Sequence, residues 1–221
     1  MKRPQPPAAA PAFPTVFVVD DDEELRLALG NLFASVGLEV KLFDSTAAFL
    51  REVPQDQPGC LVLDVRLPGV SGLEFQGQLA RAHAQIPIIF VTGHGDIPMS
   101  VQAMKAGAID FLTKPFRDQD MLDAVALAIE TDRSRRAQSQ ASSDVRERFE
   151  RLSPREREVM TLVTRGLMNK QVAGDLGLSE ITVKLYRGQA MRKMGATSLA
   201  DLVRMASLLS LHGEPPNRVP K

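Results

Sequence analysis

The segment LVLDVRLPG, residues 61–69, decides the fold, because its run of branched apolar residues ends at a single aspartate, Asp64. The segment VFVVDDDE, residues 16–23, has the same form and ends at Asp20 and Asp21. Short apolar runs of this kind predict buried strands. Five such runs occur in the first half of the chain: Thr15 to Val19, Val40 to Phe43, Cys60 to Leu63, Ile88 to Thr92 and Ile109 to Leu112.

The stretches between these runs have apolar residues at spacings of three and four, which predict amphipathic helices. One example is the series Leu25, Leu29, Leu32, Phe33 and Val36. Strands that alternate with helices predict an α/β fold, a doubly wound parallel sheet with helices on both faces. Later in the chain the strand pattern is absent, and helical stretches near 154–165, 169–176, 180–193 and 198–211 predict a small all-α domain.

The length of 221 residues allows two small domains, each with its own core. The polar segment 131–150 carries no Gly or Pro and no sustained apolar periodicity, and it predicts a linker, with partial helicity as an alternative. The predicted organisation is therefore a disordered tail at 1–14, an α/β domain at 15–130, a linker at 131–150, a helical domain at 151–211 and a flexible tail at 212–221.

The charge of the chain differs between its two halves, although the formal net charge is zero. Residues 1–130 hold 10 basic and 17 acidic residues, and residues 131–221 hold the other 17 basic and 10 acidic residues. A basic second half favours a nucleic-acid partner for that half alone. The single cysteine, Cys60, lies in an apolar run, which indicates a buried side chain and a reducing, cytoplasmic location. No apolar stretch is long enough for a membrane span, so we expect no membrane partner.

Polar residues stand at the ends of several predicted strands, where parallel α/β sheets carry their functional crevice. In the flavodoxin-like strand order 2-1-3-4-5 the first and third strands are neighbours, so Asp20, Asp21 and Asp64 would meet. Clustered carboxylates favour a hard divalent cation, Mg²⁺ above all. Thr92 and Lys114 follow the next strands and add a hydroxyl and a cation. This set suits phosphoryl transfer to Asp64 as the nucleophile.

A rival interpretation is a haloacid-dehalogenase-like phosphatase, which also uses an aspartate nucleophile with Mg²⁺. That chemistry needs a second aspartate two residues after the nucleophile as acid and base. Arg66 occupies that position. The sequence therefore does not favour a phosphatase.

Three motifs, VFVVDDDEELR (16–26), LVLDVRLPGVSG (61–72) and PIIFVTGHGDIPMSVQAMKAGAIDFLTKPF (87–116), resemble the receiver domain of bacterial two-component response regulators of the NarL/FixJ subfamily. The resemblance implies that Asp64 is the phosphoacceptor and that Mg²⁺ binds Asp20, Asp21, Asp64 and the backbone carbonyl of Arg66. It also implies that Thr92 is the switch hydroxyl and that Lys114 pairs with the phosphate. Phe111 would be the aromatic residue that moves inward on activation, with a plain core role as the alternative.

The helical half contains the pattern of a helix-turn-helix. Ser153, Pro154 and Glu156 predict a capped helix start, and Gly177 separates a short helix from a longer one capped by Ser179. On that longer helix Val183, Tyr186, Ala190 and Met194 form one buried stripe. The other side carries basic and polar residues that could enter a major groove.

The motifs SPREREV (153–159), GLMNKQVAGDLGLSEITVK (166–184) and RKMGATSLADLV (192–203) resemble the LuxR-type helix-turn-helix domain of the same subfamily. The resemblance implies that Lys184 contacts DNA and that the fourth helix contributes to dimerisation. Two residues depart from the family pattern: Tyr186 stands where His is frequent, and Gly188 stands where a polar contact is frequent. The candidate DNA-binding residues are Thr182, Lys184, Leu185, Arg187, Gln189, Arg192 and Lys193.

The combined prediction is a DNA-binding transcriptional regulator switched by phosphorylation of Asp64. The expected partners are a sensor histidine kinase, promoter DNA, RNA polymerase and, on phosphorylation, a second copy of the chain. We expect no enzymatic activity beyond Mg²⁺-dependent phosphorylation and dephosphorylation at Asp64. The alternative is a regulator whose receiver serves only for dimerisation or ligand sensing, with constitutive DNA binding.

Overall fold

The computed structural model describes residues 13–54, 56–93, 97–209 and 211. The predicted tail at 212–221 and residues 1–12 of the predicted N-terminal tail lie outside these residues. The chain forms two compact units that divide between Arg135 and Arg136. In the described part of the chain, none of the helices combines the length and the apolar character that crossing a membrane requires.

The first unit is built on a five-stranded parallel sheet in the order β2-β1-β3-β4-β5, which confirms the predicted fold class. Its central strands are buried on both faces, as expected of a parallel sheet covered by helices on each side. The strands are β1 (Thr15–Val19), β2 (Glu39–Phe43), β3 (Gly59–Asp64), β4 (Ile88–Thr92) and β5 (Asp110–Thr113).

Alternate residues of β1 supply two separate cores on the two faces of the sheet. Phe17 packs in one core with Phe49, at 5.7 Å between ring centroids, whereas Val16 packs in the other core with Phe33. Cys60 is buried in the second core, as predicted, and burial raises the pKa of its thiol to about 12. The helices of this unit are α1 (Glu23–Ser35), α2 (Thr46–Glu52), α3 (Gly72–Arg81), α4 (Ile97–Lys105) and the start of α5 (Asp118–Glu150).

Helix α5 runs through the whole of the segment 131–150, where the sequence predicts a linker. The absence of Gly and Pro allows the helix to continue, and tertiary contacts hold it. In the first unit the buried carboxylate of Asp132 accepts a hydrogen bond from the backbone N–H of Gly59 at 3.1 Å and pairs with Arg135. Arg135 also donates to the side-chain oxygen of Gln85 at 2.9 Å. The start of this segment is therefore part of the α/β unit.

In its described residues the second unit is all helical, and its caps match the predicted ones. Ser153 and Glu156 form a complete capping box, and Gly177 takes the left-handed conformation at the turn before α8. The end of α5 completes the core of this unit through Val145 and Phe149. The remaining helices are α6 (Pro154–Thr164), α7 (Asn169–Leu176), α8 (Glu180–Met194) and α9 (Leu199–Leu208).

Candidate functional site

Three aspartates meet at the carboxyl ends of β1 and β3. The two strands are paired in register, with Val19 opposite Leu63, so the residues that follow lie side by side. Asp20, Asp21 and Asp64 each offer a carboxylate oxygen, and these oxygens lie within 4.8 Å of one another. Asp20 and Asp64 are buried, whereas Asp21 is exposed. Parallel pairing thus brings together carboxylates that are more than 40 residues apart in sequence.

Lys114 lies against this cluster and neutralises part of its charge. Its Nζ is 2.7 Å from Oδ2 of Asp20 and 3.1 Å from Oδ2 of Asp64. Burial alone would lower the pKa of Lys114, but the hydrogen bonds to the two carboxylates outweigh it and raise the pKa. Burial raises the pKa of Asp20, and the hydrogen bond from Lys114 opposes that shift only in part. The ammonium group of Lys114 therefore neutralises part of the charge of the cluster, and an excess of buried negative charge remains.

Backbone groups fix the orientation of the two buried carboxylates. The N–H of Asp22 donates to Oδ1 of Asp20, and the N–H of Arg66 donates to Oδ1 of Asp64, both at 3.0 Å. Helix α3 starts so close to this strand end that a Cβ at Gly72 would lie 2.4 Å from the backbone oxygen of Asp64. Any larger residue there would displace the strand end that carries Asp64.

Thr92 and Phe111 occupy the neighbouring strands. Thr92 is the last residue of β4, which pairs with β3 next to Asp64, and its side chain is buried. Phe111 lies on β5, half-buried against the core, with its ring centroid 6.3 Å from that of Phe90. The Lys114–Pro115 peptide, just after β5, is cis. The predicted residues thus lie on adjacent strands.

The oxygen donors of the cluster fit a small hard cation such as Mg²⁺. Such an ion takes carboxylate and carbonyl oxygens and keeps part of its water shell. The cluster meets that requirement with two buried carboxylates and one exposed carboxylate, so that solvent reaches one side. Asp20, Asp21 and Asp64 are therefore the residues that would hold the ion.

Helix α8 presents a second candidate site. Val183, Ala190 and Met194 are buried and Tyr186 is half-buried, which confirms the predicted inward stripe. Of the candidate DNA-binding residues, Lys184, Leu185, Arg192 and Lys193 are exposed, and Thr182, Arg187 and Gln189 are half-buried. The outer face of α8 is thus accessible to a partner along most of its length.

Two of the cations on α8 have partners inside the helical unit. Nζ of Lys193 lies 2.7 Å from Oε2 of Glu156, a buried side chain. Although burial opposes ionisation, the hydrogen bonds from Lys193 and Ser153 hold the pKa of Glu156 below its usual value. Arg187 donates to the side-chain oxygen of Asn169 at 3.3 Å. Sequence reasoning identified Glu156 as a capping residue but missed its pairing with Lys193, which depends on the packing of α6 against α8.

One exposed residue of α8 was not singled out from the sequence. Ile181, in the first turn, is 83% exposed. The available signal was its position four residues before Leu185, which places both side chains on one face of the helix.

Comparisons with known proteins match each of the two units to a family. A model of the response regulator receiver domain matches residues 16–126, and a model of the luxR family of bacterial regulatory proteins matches residues 150–206. The chain is 60% identical over 196 residues to nodulation protein W of Bradyrhizobium diazoefficiens, which covers 89% of this chain and 86% of that protein. It is 47% identical over 194 residues to the response regulator protein TodT of Pseudomonas putida, covering 88% and 86%. The solved structure of the response regulator StyR has a TM-score of 0.79 and 49% identity, covering 89% of this chain and 99% of that one.

Proposed function

Because the chain belongs to the NarL/FixJ-type response regulators, transcriptional regulators that join a receiver domain to a LuxR-type DNA-binding domain, we propose that phosphorylation of Asp64 controls its binding to DNA. The observation that carries the proposal is the arrangement around Asp64. A buried carboxylate lies 3.1 Å from the ammonium group of Lys114 and beside two further carboxylates. A receiver that served only for dimerisation would not need this arrangement.

The proposed chemistry is transfer of a phosphoryl group from a phosphohistidine of a sensor histidine kinase. An oxygen of Asp64 forms the new O–P bond, the N–P bond of the donor breaks, and the leaving imidazole takes up a proton. Mg²⁺, when bound by Asp20, Asp21, Asp64 and the Arg66 carbonyl, would neutralise the charge of the transferring group. Lys114 would change partner from the free carboxylate to a phosphate oxygen. The backbone N–H of Arg66 already fixes the carboxylate for attack.

The proposed switch follows from the new phosphoryl oxygens. Thr92 would donate its hydroxyl to one of them, and the space that it leaves would let Phe111 turn inward. Phe111 is only half-buried and packs at the edge of the core, so it can move with little loss of packing. Because a modification shifts an equilibrium only through differential affinity, these contacts must favour the active state.

The proposed output is a dimer that binds promoter DNA and acts on RNA polymerase. One helix-turn-helix unit contacts one half-site, so two copies are needed for useful specificity. We propose that the receiver dimerises through α4, β5 and the start of α5, where Lys105 is exposed on α4 and Arg117 is exposed between β5 and α5. We propose that Thr182, Lys184, Leu185, Arg187, Gln189 and Arg192 face DNA. Lys193, which is paired with Glu156, would orient α8 rather than bind phosphate.

The test is phosphorylation of the purified chain with acetyl phosphate and Mg²⁺. Intact-mass measurement should show one added phosphoryl group, absent from Asp64→Asn and present in Asp44→Asn. Asp44 is the matched control because it also follows a strand, β2, but is exposed and outside the cluster. Sedimentation and gel-shift measurements on the same samples should show dimer formation and tighter DNA binding together. Label that persists in Asp64→Asn would place the phosphoryl group on another residue, and DNA binding that does not change on phosphorylation would favour a constitutive regulator.

A further inference from the structure

The outer face of α8 is apolar in its first two turns. Ile181 is 83% exposed and Leu185 is 55% exposed, and neither belongs to the core of the helical unit. Their spacing of four residues places them one above the other on the same face. An isolated exposed apolar residue needs no explanation, but two of them together form a patch on the one helix expected to face DNA.

The structure describes every residue of α8. The same face of this helix has few exposed polar side chains that could hydrogen-bond to base edges. Arg187 and Gln189 are half-buried, and Arg187 is hydrogen-bonded to Asn169. Gly188 has no side chain, and a Cβ built there would meet no heavy atom within 4 Å among the described residues. Between Ile181 and Gly188, Lys184 is the polar side chain that is exposed rather than half-buried. In the first two turns of α8, hydrogen bonding by Lys184 and the half-buried Thr182 would distinguish few sequences.

We propose that Ile181 and Leu185 select thymine by contact with its 5-methyl group. The methyl group of thymine is the apolar feature that the major groove displays, and apolar side chains recognise it by excluding water. The first turns of the second helix of a helix-turn-helix are those that reach base edges. The inference rests on the proposed function, which places α8 in the groove, and it adds the class of base that this helix reads.

The experiment uses the full-length protein, with acetyl phosphate and Mg²⁺ present, and a duplex enriched from a randomised library by that protein. Each thymine of the protected half-site is replaced in turn by deoxyuridine, which removes one methyl group and keeps every hydrogen-bonding group. Loss of one buried methyl contact should weaken binding about fourfold at one or two positions. The other thymines should tolerate the replacement.

The variants Ile181→Ala and Leu185→Ala assign each sensitive position to a residue. In each variant, binding to the thymine duplex should fall to the level of the corresponding deoxyuridine duplex, and deoxyuridine should then cause no further loss. Both side chains are exposed, so circular dichroism of the variants should match that of the wild type. Lys184→Ala is the matched control, because it should weaken binding yet keep the difference between thymine and deoxyuridine.

Two results would overturn the inference: no position is sensitive to deoxyuridine, or the sensitivity is unchanged in both alanine variants. The control separates this failure from failure of the proposed function. If Lys184→Ala weakens binding while deoxyuridine has no effect, α8 faces DNA but does not read methyl groups. If Lys184→Ala also has no effect, the placement of α8 in the groove is itself wrong.

Discussion

Replacing Lys114 by methionine should destabilise the α/β unit, because it leaves two buried carboxylates without their cation. Removing one partner of a fully buried ion pair costs roughly 3–5 kcal/mol. The side chain of Lys114 is 23% exposed, whereas those of its partners are 3% and 8% exposed, so water compensates part of the loss. We therefore expect the free energy of unfolding to fall by about 2 kcal/mol, or roughly 8 °C in melting temperature, in metal-free buffer at neutral pH.

The stability lost in the Lys114→Met variant should depend on pH, and the loss should be larger at higher pH. Burial raises the pKa of Asp20 above its unfolded value, so protonation of this group favours the folded state. The stability that protonation of Asp20 contributes is fully present below the pKa of Asp20 in the unfolded state. It is lost as the pH rises through the pKa of Asp20 in the folded state. The hydrogen bond from Lys114 lowers the pKa of Asp20, so the variant has a still higher pKa and loses more stability than the wild type as the pH rises. The difference between the two proteins should narrow on acidification to about pH 5.

Thermal unfolding followed by circular dichroism, with and without Mg²⁺, measures these effects. Lys105→Met is the control, since Lys105 is an exposed lysine on α4, and its effect should stay within about 0.5 kcal/mol. The double variant Lys114→Met with Asp20→Asn should recover part of the lost stability, because it removes one of the two uncompensated charges. A Lys114 variant that melts like the Lys105 control, or a difference that is equal at both pH values, would refute the reasoning.

Three further predictions concern other parts of the chain. Mg²⁺ should raise the melting temperature by binding the folded state only, and Asp21→Ala should abolish that rise in a scanning-fluorimetry titration; an unchanged rise would place the metal elsewhere. Arg192→Gln should reduce the slope of log affinity against log salt by about 0.9 per lost phosphate contact, measured by fluorescence anisotropy. Lys193→Gln should leave that slope unchanged because Glu156 holds the ammonium group, and an equal reduction in both would show that the ion pair opens on DNA. Asp132→Ala should lower the free energy of unfolding of the α/β unit by about 1–3 kcal/mol, because the backbone N–H at the start of β3 loses its buried acceptor; unaltered urea denaturation would count against this.

The acidic cluster could be predicted from the sequence because its geometry is a consequence of strand order. Once β1 and β3 are parallel neighbours, the residues after Val19 and Leu63 must meet, whatever the loops between them do. The helix caps at Ser153 and Ser179 were equally predictable, since each depends on residues within one turn. Both kinds of feature are local or follow from a single pairing rule.

The features that were not predicted depend on contacts between distant residues. Asp132 looks like an ordinary charged residue in a polar segment, and only the fold shows that its carboxylate accepts the N–H of Gly59, 73 residues away. The pairing of Lys193 with Glu156 depends in the same way on how α6 crosses α8. The polar composition of 131–150 predicts a linker. The segment is nevertheless helical, because a helix that has no Gly or Pro needs few buried positions to hold it.

Helix α5 contributes residues to the core of the α/β unit and to the core of the helical unit. This restricts where the two halves of such a chain can be recombined. A receiver fragment that ended at residue 130 would lack Asp132, and a DNA-binding fragment that began at residue 151 would lack Val145 and Phe149. Either cut would expose apolar or unpaired groups that the intact chain covers. Chimeras that exchange output domains should therefore join within helix α5, after Arg135 and before Val145, with the helical phase kept across the junction.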